Sequence, residues 1–143
     1  MKTAKDLMTC NPYIVQSSSE INDELKHFLE LEITSAPVES SLGEPLGVLT
    51  EIALIQIYLK THMTEEHTGS KVVHHKETLE KACFVLESTP INEVIKKMLQ
   101  APTHRVIVTT KMNKITGIIC PKDVLRFLGG ENTKHLSLRD ELE

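Results

Sequence analysis

The sequence contains no tryptophan, two tyrosines and three phenylalanines in 143 residues, so any core has to be built from aliphatic side chains. It has no apolar run near the roughly 20 residues that a membrane-spanning helix needs. Its start, MKTAKDLMTCNP, lacks an apolar signal core, which makes a cytoplasmic location the expectation. Cysteine is scarce. Cys10, Cys83 and Cys120 are an odd number without CxxC spacing, which argues against a disulfide framework or zinc knuckle and predicts reduced, mostly buried thiols. Excess positive charge is also missing: the formal net charge is −4, whereas a duplex nucleic-acid binder usually needs a strong basic field, so nucleic acid is not an expected partner.

Signatures of catalysis are absent as well. No HExxH, GxSxG, phosphate-binding GxxxxGK[ST] loop or recognisable Cys and His dyad occurs. His62, His67, His74 and His75 cluster in or beside one polar stretch without regular helical spacing, and solvated side chains are expected there rather than metal ligands. The chain is therefore not expected to be an enzyme, and it requires no cofactor or metal.

What is present is a balance of 40% hydrophobic and 25% charged residues, suited to one compact domain or two small halves. Sliding the chain against itself by 70 positions aligns Tyr13 to Tyr58 with Cys83 to Leu128 without a gap. Eight of these 46 positions are identical, among them Val15/Val85, Ile21/Ile91, Val38/Val108 and Gly47/Gly117, and most others keep apolar or turn character. A period of that length lies above the solenoid range and points to two pseudo-symmetric halves.

Each copy reads the same way. An apolar run (YIV or CFVL) precedes capping residues, with Thr89 and Pro90 expected at the N-cap and first turn of a helix. Helical spacing follows in Ile21, Leu25, Phe28 and Leu29, and in Ile91, Val94, Ile95, Met98 and Leu99. Two short strands come next, APVE and PLGVL in one copy, RVIVT and ITGII in the other, and a closing helix ends each unit. The expected class is α+β, a tandem β-α-β-β-α repeat. The expected boundaries are 1–60 for the first repeat, 61–82 for a polar linker with a short helix near its end, 83–130 for the second repeat and 131–143 for an acidic tail.

Five stretches, KDLMTCNPYIV, SAPV, HRVIV and the pair GVLTEIA and GIICPKD, resemble the cystathionine-beta-synthase (CBS) domain pair, or Bateman module, over about Lys5 to Leu128. The resemblance implies a pseudo-twofold CBS domain pair whose clefts bind adenosine-containing ligands such as AMP, ADP, ATP or S-adenosylmethionine, and which pairs into a homodimer. In the family's G-x-x-T/S-x-x-D pattern the hydroxyl and carboxylate hold ribose and phosphate. Here the first copy keeps Thr50 but has Ala53, and the second keeps Asp123 but has Cys120.

A hydroxyl followed three residues later by an acid at a strand-to-helix junction is also a capping arrangement. Thr50 is expected to cap. Asp123 carries two readings, ribose acceptor or cap. The family further implies that His104 and Arg105 contact phosphate, that Lys122 lies near ribose or phosphate, and that Pro12, Tyr13 and Ile14 line the adenine. An Arg suits phosphate because its planar fork holds an anion bidentately and stays charged. Tyr13 is alternatively a core or interface aromatic. The cleft around Thr50 and Ser35 is expected to hold no charged nucleotide.

From Lys96 to Arg126 there are seven Lys or Arg and one acid, against one Lys and five Glu over Lys26 to Gln56, which is +6 against −4. Opposite charge favours an antiparallel dimer, with Leu54, Ile55, Ile57 and Tyr58 against Leu125, Phe127 and Leu128 as its buried seam. The functional expectation is a stand-alone regulatory ligand sensor that signals to a separate effector protein. The alternative is a dimerisation or docking scaffold that binds no small molecule.

Overall fold

The structure, a computed structural model, describes residues 2–64 and 70–130. His67, the side chain of His62 and the acidic stretch 131–143 with its RDELE end lie outside the described residues. The chain runs α1 (Ala4–Leu7), β1 (Thr9–Cys10), β2 (Val15–Gln16), α2 (Ile21–Leu31), β3 (Ser35–Glu39), β4 (Pro45–Thr50) and α3 (Glu51–Thr64). A 3-10 helix, Val72–Thr78, leads to β5 (Phe84–Leu86), α4 (Ile91–Gln100), β6 (Val106–Thr109), β7 (Ile115–Ile119) and α5 (Pro121–Leu128). The β-α-β-β-α unit thus occurs twice, as the periodicity predicts, and the class is α+β.

The two units agree in register. Val15 pairs with Val38 as Val85 pairs with Val108, both in parallel. The antiparallel ladders β3–β4 and β6–β7 each carry one irregularity at the equivalent place, between Val38 and Glu39 and between Val108 and Thr109. Inward positions of α4, namely Ile91, Val94 and Met98, recur every three to four residues and pack with Val85, Val106, Val108 and Ile119 in one core. Each such aliphatic side chain contributes about 1.5–3 kcal/mol when fully buried. A second core forms around Val15, Phe28, Val38, Leu49 and Ile57 in the first unit.

The lead-in to each unit packs on the other unit. Strand β1 joins the sheet of the second half, in the order β1-β7-β6-β5, and Ala4, Leu7 and Met8 enter that core. The stretch expected as a linker, 61–82, is built into the first half from Lys71 onward. There Val72 is buried with the first core, the Val72 amide donates to the Ser19 carbonyl, and Glu80 bridges to Val48. This exchange explains the glycine shared by both copies. A Cβ on Gly117 would overlap Met8 Sδ, and one on Gly47 would stand 2.9 Å from the Glu80 carbonyl oxygen.

Several local expectations are corrected. Thr89 is not the N-cap of α4: that helix starts after Pro90, and the Thr89 hydroxyl instead accepts the Leu86 amide at 3.1 Å. Within the linker stretch, His75 is buried rather than solvated, because it lies three residues after Val72 and so shares the buried face of the 3-10 helix. No thiol is fully buried: Cys10 is exposed, Cys83 and Cys120 are half-buried, and all three are free. Leu54 and Ile57 face their own core and do not belong to a seam, whereas Ile55, Tyr58, Leu125 and Leu128 leave an apolar stripe exposed on α3 and α5.

Candidate functional site

Where the two halves meet, a cavity of about 620 Å³ opens between the start of β3, the start of α5 and the chain entering the first unit. Its wall is mostly apolar, from Pro12, Tyr13, Ile33, Pro37, Ile118 and Leu125, with hydroxyls from Thr9, Thr34 and Ser35 and cations from Arg105 and Lys122. Glu32, the left-handed residue that ends α2, supplies a carboxylate on the lining. A mainly apolar concavity with a few convergent polar groups is the usual form of a small-molecule site.

Arg105 lies just before β6 and spans the junction. Its Nη1 donates to the Thr103 carbonyl at 2.8 Å and its Nη2 to Thr34 Oγ1 of the other half at 3.0 Å, while its buried Nε has no hydrogen-bond partner among the described residues. Two neighbours thus hold the fork in place, and the charge stays on the cavity wall. Cys120 stands opposite at the start of α5. Burial pushes its thiol up, Asp123 adds to the rise, and the guanidinium of Arg105 opposes it.

Asp123 is behind this surface and is not among the lining residues. Its Oδ2 accepts the Cys120 amide at 2.8 Å, the reciprocal half of a capping box, and its Oδ1 stands 3.5 Å from both Thr9 Oγ1 and Arg126 Nη1. In the first half the same junction is closed by Thr50, whose buried hydroxyl accepts the Ala53 amide at 3.0 Å.

Of the residues singled out from sequence, the structure brings Pro12, Tyr13, Arg105, Cys120 and Lys122 to one cavity and places Asp123 beside it. His104 and Ile14 stand outside its lining. His104 has a left-handed backbone, φ 56°, and its Nδ1 lies 3.3 Å from the Met98 carbonyl oxygen. Ile14 follows Tyr13 on a non-helical chain, where successive side chains alternate in direction. Ser35 was expected at the other cleft with Thr50. It lines this one together with Thr34, because the starts of β3 and β6 face each other, Arg105 reaching Thr34.

Tyr13 is anchored from behind. Its hydroxyl donates to Glu24 Oε1 at 2.6 Å and lies 2.8 Å from His27 Nδ1. Burial, the hydrogen bond and charge of Glu24, and the charge of Asp23 push the phenol far above its ordinary range. Sequence periodicity alone did not single out Glu24. The signal was its repeat partner, Val94, a core position.

Against known proteins, residues 71–130 match the CBS domain family. The fold agrees with CBSX2 from Arabidopsis thaliana, 20% identical, with a TM-score of 0.75 over 90% of this chain and 95% of that one. CBSX2 in complex with AMP gives 21% identity and a TM-score of 0.75, over 91% of this chain and 98% of that one. The CBS domain pair of MJ0100 in complex with 5′-methylthioadenosine and S-adenosyl-L-methionine is 19% identical, with a TM-score of 0.73 over 90% of this chain and all of that one.

Two curated relatives are longer proteins. The zinc metalloprotease MJ0392 of Methanocaldococcus jannaschii is 31% identical over 98% of this chain and 34% of its own length. The UPF0053 protein MG146 of Mycoplasma genitalium is 26% identical over 80% of this chain and 25% of its own length. The chain thus spans between a quarter and a third of these relatives. The chain has the fold of a CBS-domain pair, and its residues 71–130 match the CBS domain family.

Proposed function

We propose that this chain is a non-catalytic regulatory module that binds an adenosine-containing ligand, in the class of AMP, ADP, ATP or S-adenosylmethionine, in the cleft between its halves. The observation that carries the reading is Arg105, a cation set in a mostly apolar cavity with Thr34, Thr9 and Ser35 hydroxyls around it and Lys122 on the same wall. Such a wall suits a flat heterocycle joined to a polar, anionic end. Structures of similar fold were solved with AMP, with S-adenosyl-L-methionine and with c-di-AMP, which supports this ligand class.

In this reading Arg105 and Lys122 meet the phosphate or carboxylate end, and Pro12 and Tyr13 flank the base. Asp123 keeps Oδ2 on the helix cap and turns Oδ1 toward ribose, exchanging two long contacts for one hydroxyl. Ligand shifts the angle between the halves to the extent that it binds one angle better than another, and an effector protein reads the result. Pairing into an antiparallel homodimer follows from the exposed stripe of Ile55, Tyr58, Leu125 and Leu128 together with the opposite charges of the halves.

The test is calorimetric titration of AMP, ADP, ATP and S-adenosylmethionine into ligand-free protein, repeated with Arg105→Ala and Asp123→Ala. Binding at one site per chain that both substitutions abolish supports the reading. Silence across the panel favours the docking scaffold, in which Asp123 is a helix cap and nothing more.

A further inference from the structure

The first half buries a carboxylate where the second half buries a methyl-bearing side chain. Glu24 is 1% exposed, and its repeat partner Val94 is 0% exposed. Burying a carboxylate costs free energy unless its oxygens are fully engaged. Here Tyr13 donates to Oε1 at 2.6 Å, Ser19 donates to Oε2, and His27 Nδ1 lies 3.3 Å from Oε2. The Tyr13 hydroxyl has one proton and gives it to Glu24, so its 2.8 Å contact with His27 needs the imidazole proton on Nδ1.

Two of these three partners are peculiar to this half, whereas Ser19 aligns with Thr89, which keeps a hydroxyl. Tyr13, Glu24 and His27 align with Cys83, Val94 and Lys97, and the second half has only a long sulfur contact from Cys83 to the Lys97 carbonyl, at 3.8 Å. The half that carries the polar network is the half whose entering chain lines the cavity, through Tyr13. With its hydroxyl held by Glu24 and His27, and its ring set edge-on to the His27 ring at 5.5 Å, Tyr13 offers the cavity an aromatic surface in one orientation.

We propose that Glu24 is a positioning residue for the cleft: it anchors the Tyr13 hydroxyl and so fixes the ring as the wall on which the flat heterocycle of the ligand packs. The inference rests on the ligand-binding reading above. A wall already ordered before binding spares the ligand the entropy of ordering it. Glu24 acts through Tyr13 and does not itself line the cavity.

The experiment titrates AMP, ADP, ATP and S-adenosylmethionine into the wild-type chain, Glu24→Val, Glu24→Gln, Tyr13→Phe and the double variant Tyr13→Phe/Glu24→Val. Glu24→Val installs the residue that the second half uses at this position, so the site stays filled. For whichever ligand the wild type binds, Glu24→Val weakens binding roughly tenfold, and Glu24→Gln, which still accepts the Tyr13 proton, recovers most of it. In the Tyr13→Phe background Glu24→Val adds nothing, because the anchored group is gone.

A readout without ligand accompanies these. In a Tyr58→Phe background, phenolate absorbance reports Tyr13 alone, and Glu24→Val brings its ionisation to lower pH. Unchanged ligand affinity in Glu24→Val, or effects of the two substitutions that simply add, overturns the inference while leaving the site intact. A wild-type chain that binds none of the four overturns the reading of the cleft and this inference with it.

Discussion

Arg105 Nη2 donates to Thr34 Oγ1 at 3.0 Å, joining residues 71 positions apart and from different halves of the molecule. The same guanidinium is fixed by the Thr103 carbonyl, so its orientation depends on both halves being in place. A ligand anion that engages Arg105 therefore acts on the junction itself.

Arg105→Lys tests whether orientation or charge matters. An ammonium keeps the charge, but one point of attachment replaces a planar fork, and the link to both Thr103 and Thr34 is broken. Hydrogen bonds to a charged group are worth about 1.5–3 kcal/mol, so AMP affinity is expected to fall by one to two orders of magnitude in Arg105→Lys. Calorimetry at two salt concentrations checks it. A variant that binds as the wild type does reduces Arg105 to a diffuse positive charge.

Gly117→Ala and Gly47→Ala probe the exchange of lead-in segments. The added Cβ at Gly117 meets one side chain, Met8, overlapping its Sδ and standing 2.9 Å from Cγ and 3.0 Å from Cβ, whereas at Gly47 it meets the backbone oxygen of Glu80 at 2.9 Å and Leu79 Cβ at 3.2 Å. Overpacking of this kind costs about 1–3 kcal/mol, and a rigid neighbour gives less ground than a methionine. Gly47→Ala should thus lower the thermal midpoint more than Gly117→Ala does. Met8→Ala should restore part of the Gly117→Ala loss and none of the Gly47→Ala loss, as calorimetric melting would show.

The β-α-β-β-α order was legible because helical spacing in Ile21 to Leu29 and Ile91 to Leu99, and the turns after them, occur twice at one offset. The exchange was not. Ala4, Leu7 and Met8, or Val72 and Leu79, are too few apolar residues to mark which core a short segment joins. Its trace was the shared glycine, which meets Met8 in one half and Leu79 with Glu80 in the other. Within the site, the family resemblance pointed to Arg105, Cys120 and Lys122, which line one cavity. Ser35 was expected beside Thr50 in the other cleft but lines this one, because the fold brings the starts of β3 and β6 together. Glu24 carried no motif of its own, and only its register with the core position Val94 marks it as inward.

Ile55→Glu and Leu125→Glu address assembly. These side chains are 62% and 64% exposed on the isolated chain, so a charge there costs the monomer little. In a dimer sealed by α3 and α5 the same charge is buried without a partner, which costs several kcal/mol. Light scattering after gel filtration should report a dimer for the wild type and monomers for both variants, with thermal midpoints of the monomers changed only slightly. A wild-type chain that is monomeric at high concentration would rule out the antiparallel pair.

Cys120→Thr restores the hydroxyl that Thr50 provides in the first half. Thr50 accepts the Ala53 amide at 3.0 Å, while at Cys120 the reciprocal bond from the Cys120 amide to Asp123 is the part of the box that is well formed. Exchange of a poor cap for Thr typically gains about 0.5–2 kcal/mol. The pH dependence carries a second signature. Burial, reinforced by Asp123, raises the folded-state thiol above its unfolded value, so the folded chain holds this proton more tightly. That contribution is fully present below the unfolded thiol pKa, and it is lost as pH rises from there through the folded value. Denaturation of the wild type should therefore show stability falling with alkaline pH, and Cys120→Thr should flatten this slope while raising the midpoint at neutral pH. An unchanged slope would mean that Cys120 ionises as freely folded as unfolded, and that the Arg105 guanidinium, which opposes the rise, balances burial in full.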